Sequence, residues 1–193
     1  MRRRRRKKRK SAIKGVVLIL ALIGAAIGLL SLFHGEISRF ARPWIEKRGF
    51  PERKKVITLY FSDPEAEYLV GEKREIRNGE EVEEEMQETV RELIKGPKGR
   101  LLATVPSGTP LLSLQIDDKG IARVNFGRAF SGNHPGGTSA EMMSVYSVVN
   151  TLALNFPAVQ KVQFLVEGAE IESITGHLSL SQPVSPKPDL IRK

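Results

Sequence analysis

Few side chains in this sequence have both the type and the spacing that catalysis or metal binding requires. There are three histidines, at positions 34, 134 and 177, and no cysteine. No pair of histidines has metal-ligand spacing, and neither a His-x-x-Glu-His motif, a G-x-S-x-G motif nor a dinucleotide-binding glycine pattern occurs. The lack of cysteine excludes disulfides, thiolate metal sites, a cysteine nucleophile and an acylated lipoprotein cysteine. We therefore expect no catalytic residue, no cofactor and no metal site.

A run of six glutamates from Glu80 to Glu88 is the densest group of acids, and it raises the alternatives of a cation site or a catalytic carboxylate pair. The same stretch has apolar residues at helical spacing, which are Val82, Met86, Val90, Leu93 and Ile94. The acids fall on the opposite face of such a helix, where solvated charge is expected. We interpret them as the exposed face of an amphipathic helix that ends at Gly96-Pro97.

A glycine-rich stretch, AFSGNHPGGTSAE, precedes a second helical segment. Free N–H groups before a helix favour anions, but this stretch lacks the lysine of a P-loop. Thr138 and Glu141 match a T-x-x-E capping box, and Gly136-Gly137 allow the chain to bend into the helix. Because loops on a rigid scaffold often carry binding, we predict a protein-contact loop here. Its residues are Ser131, Gly132, Asn133, His134, Gly136, Gly137 and Thr138.

Short alternating segments predict strands. VITLYF (56–61) is β-branched and aromatic and ends in Ser-Asp-Pro, and EYLVGEKREI can return beside it. VQFLV (162–166) predicts a further strand, and IESITGHLSLSQPV a last extended segment.

LLSLQI (111–116) and IARVNF (121–126) predict a hairpin around the turn DDKG. Strict alternation places Leu112, Leu114 and Ile116 on one face of its first strand.

The segment SAEMMSVYSVVNTLALNF is apolar nearly all round and stops before Pro157, so it should form the central buried helix. Together the elements predict an α+β fold, with two helices packed on a small antiparallel or mixed β-sheet and one transmembrane helix before them.

The N-terminus predicts a membrane anchor. Residues 2–14 hold ten Lys and Arg and no acid, and the uncharged stretch 15–33 follows. As a helix, that stretch would span roughly 28 Å, which is close to a bilayer's hydrocarbon core. A cleaved signal peptide is the alternative, but its apolar region is shorter and ends in small residues, which FHGEISRF lacks.

We therefore predict an uncleaved signal anchor with a basic cytoplasmic tail (1–14), a transmembrane helix (15–33) and a juxtamembrane linker (34–55). Basic residues beside a span stay in the cytoplasm, so the C-terminal domain should lie outside the cytoplasmic membrane, on its periplasmic or cell-wall side.

The charge distribution argues against nucleic acid as a partner of the outer domain. The chain carries 31 Lys and Arg against 22 Asp and Glu, a formal charge of +9. From Val56 onward there are only 14 basic residues against 19 acidic ones. A surface with that balance repels phosphate backbones.

An ordered set of segments resembles the GerMN domain, named for the GerM family of sporulation and spore-germination proteins. The segments are ITLYFSD, LVGEKREI, ELIKGP, VPSGT, AFSGNHPGGTSAE, VVNTLALNFPAVQKVQFLVEG and GHLSLSQPV, within 56–184. The resemblance implies a small α+β domain outside the cytoplasmic membrane that takes part in envelope assembly, without established catalytic residues. The better-studied relatives carry two copies on a lipid anchor, whereas this chain has one copy. Residues 185–193 are predicted to be a disordered tail.

Two functions from different classes follow. The first is a single-pass membrane protein whose outer domain is a non-catalytic binding or assembly module, linked through the resemblance to sporulation or germination. It would dock another envelope protein or associate with itself, through the contact loop or the edge strand near Tyr60. The second is an envelope enzyme or ligand-binding protein acting on cell-wall polymer, with His134, Asp63 and one glutamate as the acting groups.

Overall fold

The computed structural model of the chain describes residues 53–192. The elements are β1 (Lys54–Ser62), β2 (Leu69–Arg77), α1 (Val82–Ile94), β3 (Leu111–Ile116), β4 (Ile121–Phe126), the short α2 (Ala129–Gly132), α3 (Thr138–Asn155), β5 (Lys161–Val166), β6 (Ala169–Glu170) and a 3-10 turn at Pro188–Leu190. The predicted tail (1–14), membrane span (15–33) and most of the linker (34–55) lie outside the described residues. Within residues 53–192, none of the helices has the length and apolar character needed to cross a bilayer.

Strands β1 and β2 form a two-stranded antiparallel sheet, in a register that pairs Leu59 with Glu72. The alternate residues Ile57, Leu59 and Phe61 of β1 are buried. This follows from the two-residue period of a strand, which turns alternate side chains to one face.

The second sheet has the strand order β3-β4-β5-β6 and is mixed. β4 and β5 are parallel neighbours, and α3 lies in the crossover that a parallel pair requires. The α+β class is therefore confirmed, but the strands form two sheets where the sequence predicted one.

The predicted hairpin is confirmed as the antiparallel pair β3–β4. Asp117 Oδ1 accepts hydrogen bonds from the N–H groups of Lys119 and Ile121, at 3.0 and 2.9 Å. The prediction for Leu112 was wrong, because the pairing register shifts between Leu111 and Ser113 and leaves Leu112 49% exposed. An irregularity of this kind breaks the alternation on which the prediction depended.

The core packs apolar residues of α1 and α3 against the two sheets. The rings of Phe126 and Phe130 stack with centroids 4.3 Å apart, and Phe164 lies 6.0 Å from Phe130. Most residues of α3 from Met143 to Leu152 are buried, as predicted for a central helix.

One acid of α1 departs from the expected solvated face. Glu85 is 8% exposed, and its carboxylate lies 2.6 Å from Lys55 Nζ. The other acids of the first turn, Glu83 and Glu84, are consistent with the attraction of a helix N-terminus for negative charge.

The predicted disordered tail was wrong for residues 185–192. Asn150 of α3 exchanges two hydrogen bonds with the backbone of Lys187, at 2.8 and 3.0 Å. Arg192 N–H donates to Leu69 O at 2.9 Å. The predicted last extended segment is also irregular, with Val184 forming an isolated bridge to Val162.

Candidate functional site

The predicted contact loop connects α2 to α3 and makes a sharp bend. Gly136 and Gly137 have φ values of 80° and 87°, a region that residues with a Cβ rarely adopt. This confirms that the two glycines let the chain turn into α3. Asn133 and Thr138 are exposed, while Ser131 and His134 are half-buried.

His134 is turned toward α3 by two hydrogen bonds. Its Nδ1 accepts from Gly136 N–H at 3.1 Å, and its Nε2 lies 2.9 Å from Ser144 Oγ. Because Nδ1 is an acceptor, the ring proton is on Nε2 and donates to Ser144. Burial lowers the pKa of His134 and so favours the neutral ring. The nearby charge of Glu141 acts in the opposite direction but does not outweigh burial.

This arrangement does not suit general-base catalysis on Ser144. A catalytic base must accept the serine proton, whereas His134 donates its own. Ser144 Oγ is itself within hydrogen-bond distance of the carbonyl oxygens of Thr104 and Ala140. The Ser144 hydroxyl is also buried, so no substrate can reach it without rearrangement.

The capping-box prediction for Thr138 and Glu141 was wrong. Helix α3 begins at Thr138, its N-cap is Gly137, and no side chain caps it. The carboxylate of Glu141, 0% exposed, instead accepts N–H bonds from Ile174 and His177, at 2.8 and 2.9 Å. Thr175 adds a hydroxyl bond at 2.8 Å and an N–H bond at 3.2 Å.

These bonds fix the charge state of Glu141. Burial alone would raise the pKa of this carboxyl, but the hydrogen bonds from Thr175, His177 and Ile174 outweigh it and hold the pKa below its usual value. Glu141 therefore serves to hold the loop at 174–177 against α3.

The edge of β1 near Tyr60, the second predicted contact surface, is covered by α3. Asn155 accepts from Thr58 N–H at 2.9 Å and donates to Thr58 O at 2.7 Å. Thr151 accepts from Tyr60 N–H at 3.1 Å, and Ser147 donates to Tyr60 O at 2.6 Å. Ser147, Thr151 and Asn155 are four residues apart and so share one helix face. The backbone groups of β1 at Thr58 and Tyr60 are therefore not free to pair with a partner strand.

Asp63 belongs to a different part of the structure from His134. Its Oδ1 accepts the N–H groups of Glu67 and Tyr68, and its Oδ2 lies 2.7 Å from Arg192 Nη2. Burial would raise the pKa of Asp63, but those N–H groups and the Arg192 charge lower it. The structure thus does not join Asp63 and His134 into one site.

The described residues also contain no group of three or more His, Asp or Glu side chains arranged to hold a metal ion. The acidic run of α1 does not form one.

Sequence reasoning missed a groove between β2 and α1. Its volume is about 930 Å³, and charged side chains dominate its lining. From the strand come Lys73, Glu75 and Arg77, and from the helix Glu84, Gln87, Glu88 and Arg91. The alternation of Gly71, Lys73, Glu75 and Arg77 along one face of the strand was the available signal.

The fold and these contacts define a small α+β domain in which one central helix uses its buried polar side chains to hold neighbouring segments. The sequence profile of the Germane family, described as sporulation and spore germination, matches residues 58–172. The chain belongs to this family, and the resemblance to the GerMN domain is confirmed.

Solved structures share the fold of this domain. A crystal structure of a Clostridium perfringens protein described as a lipoprotein is 25% identical, with a TM-score of 0.51, and the match covers 72% of this chain and 93% of that one. The first GerMN domain of the sporulation protein GerM from Bacillus subtilis is 21% identical with a TM-score of 0.56, over 68% of this chain and 97% of that one.

The tandem GerMN domains of the same Bacillus subtilis protein match at 22% identity and a TM-score of 0.54, over 69% of this chain. This chain covers 46% of that structure, so it corresponds in length to about half of the tandem pair. No curated protein matches the chain.

Proposed function

We propose that this protein is a non-catalytic binding and assembly module of the cell envelope, anchored in the cytoplasmic membrane by one N-terminal helix and active in sporulation or germination. The observation that carries the proposal is that the side chains best suited to chemistry serve the fold. His134, Glu141 and Ser144 join α3 to its neighbours, and Asp63 holds a turn and Arg192.

The anchor and its orientation are supported by the basic tail and the apolar stretch 15–33. A similar Clostridium perfringens protein is described as a lipoprotein. The sporulation or germination role is supported by the family description.

The exposed part of the contact loop is the proposed docking surface for an envelope partner. We expect Asn133→Glu combined with Thr138→Glu to abolish complementation of the envelope defect of a deletion strain. Both positions are exposed, and an acid in the first turn of α3 suits the helix dipole, so the fold should be retained. Immunoblotting of the membrane fraction checks that protein levels are unchanged.

Conservative variants of the chemical candidates provide the matched comparison. His134→Gln and Asp63→Asn keep most of the local hydrogen bonds and remove the titrating groups, so we expect both to complement. Loss of function in these two variants, with normal protein levels and an active loop variant, would support the cell-wall enzyme instead.

A further inference from the structure

Other parts of the chain cover several sheet edges of the described domain, some of them only in part. Helix α3 satisfies the outer edge of β1 through Asn155, Thr151 and Ser147. Gln87 of α1 donates to Leu114 O at the outer side of β3. The last strand of the second sheet, β6, has only two residues. An open strand edge is a template for pairing with another chain. Among the described strands, β2 with its nine residues has the longest edge that stays largely uncovered, since β3 has six.

The direction of the backbone groups of β2 follows from its partner. Thr58 and Tyr60 of β1 direct their N–H and C=O groups toward α3. The residues between them must therefore bond to β2, where Leu59 faces Glu72. By alternation, Gly71, Lys73 and Glu75 direct their backbone groups to the open side. None of these three backbone N–H groups has a partner within residues 53–192.

One end of this edge is closed by the C-terminal segment. At one end, Leu69 O accepts from Arg192 N–H, so the C-terminal segment closes the edge there. From Gly71 onward the edge borders the groove of about 930 Å³ between β2 and α1. The described residues therefore leave room for a strand beside the edge at Gly71 to Glu75.

The charges along the edge are self-complementary in the antiparallel register that overlaps most of the open edge. We propose that β2 pairs with β2 of a second copy of this chain about a two-fold axis through Arg74, which joins two copies into one four-stranded sheet. Lys73 then lies opposite Glu75 of the second copy, and Glu75 opposite its Lys73. Opposite charges directly across a strand pair are favourable, and the arrangement is isologous, as a two-fold dimer requires.

The neighbouring symmetric registers are disfavoured by the same charges. An axis through Lys73 places this residue against its own copy, and an axis through Glu75 does the same for two carboxylates. An axis through Glu75 also sets Lys73 against Arg77. Like charges directly opposite each other are destabilising. The axis through Arg74 also sets that residue against its own copy, but each guanidinium is already paired with Glu72 and Glu92 of its own chain. An axis through Ile76 would pair Glu75 with Arg77, but only residues 75–77 would then overlap, because β2 ends at Arg77.

Disulfide cross-linking tests the register in the full-length, membrane-inserted chain, which has no cysteine of its own. Two differently tagged proteins, one with Lys73→Cys and one with Glu75→Cys, are produced together. In the proposed register their Cα atoms lie about 5.5 Å apart, within the range for a disulfide. Two copies of the same variant place their cysteines on a diagonal of about 7–8 Å, outside that range.

The expected result is a disulfide-linked dimer that contains both tags, with loss of that band when either variant is produced alone. Equal cross-linking in all three samples would mean random collision and overturn the proposal. No cross-linking in any sample would overturn it as well.

Charge reversal provides an independent readout in the cysteine-free chain. Lys73→Glu or Glu75→Lys alone sets like charges opposite each other, so each should abolish dimers measured by chemical cross-linking in the membrane. The double variant Lys73→Glu/Glu75→Lys exchanges both charges and should restore them. A double variant as monomeric as the single ones would contradict the register. Lys54 contacts Glu75 through an exposed pair, whose loss has little effect on folding.

This inference rests on the proposed function as an assembly module, since it identifies the surface for self-association. The self-association and the proposed function can fail separately. If the protein is monomeric but its loop variant still loses function, the protein remains a docking module for another protein.

Discussion

Among single residues, Glu141 shows how burial changes the role of a side chain. Its spacing from Thr138 predicted a capping box, which is a local interaction. The carboxylate instead bonds to residues 174–177, more than thirty positions away in the chain. A local motif cannot reveal such a contact, because the two segments meet only after the domain has folded.

Glu141→Gln should destabilise the domain by about 2 kcal/mol, since the amide presents a donor to N–H groups and removes a charged acceptor. Because the pKa of Glu141 is lowered in the folded state, its contribution is present above the unfolded pKa of about 4.3 and is lost as the pH falls through the folded value. Urea unfolding of both proteins at pH 7 and at several acidic pH values measures this. The free energies of unfolding of the unmodified protein and of Glu141→Gln should differ less as the pH falls. An equal difference at every pH would contradict the role given to the Glu141 carboxylate.

Among the elements, α3 is both a buried apolar helix and the source of polar contacts to β1. Its sequence predicted only the first of these roles. Its nearly continuous apolar character predicted a buried helix, and that prediction is confirmed. Its polar residues Ser147, Thr151 and Asn155 gave no separate signal, although their spacing of four places them on one face. Which strand they meet depends on packing, so the closed edge of β1 was not predictable.

Asn155→Ala should cost about 2–3 kcal/mol, because the N–H and C=O groups of Thr58 each lose their partner. Leu154→Ala is the matched control: it is the preceding residue of the same helix and is exposed. A surface change of this kind usually stays within about 0.5 kcal/mol. Thermal or urea unfolding compares the two, and equal small effects would show that water replaces Asn155 at the strand edge.

At the scale of the whole molecule, the α+β class and most element positions were predictable from periodicity and turn residues. The hairpin at 111–126 and the helix before Pro157 are local patterns, and both were confirmed. The division into two sheets depends on long-range pairing, such as the parallel contact of β4 with β5. The ordered C-terminal segment depends on Asn150 and Leu69, which are far from it in sequence.

Charge is also divided at this scale. The tail carries ten basic residues in positions 2–14, while the chain from Val56 onward has more acids than bases. Because basic residues beside a membrane span remain in the cytoplasm, this division predicts that the domain lies on the opposite side. The proposed role of the domain as an envelope module depends on that orientation.

The most direct test is therefore the side of the membrane on which the domain lies. A single cysteine is introduced at the exposed loop position Asn133→Cys, and another, in a separate protein, in the tail at Ser11→Cys. A membrane-impermeant maleimide is applied to intact cells, or to spheroplasts if an outer membrane is present. We expect labelling at position 133 without lysis and at position 11 only after the cytoplasmic membrane is opened. Labelling at position 133 only after lysis would place the domain in the cytoplasm and contradict the account.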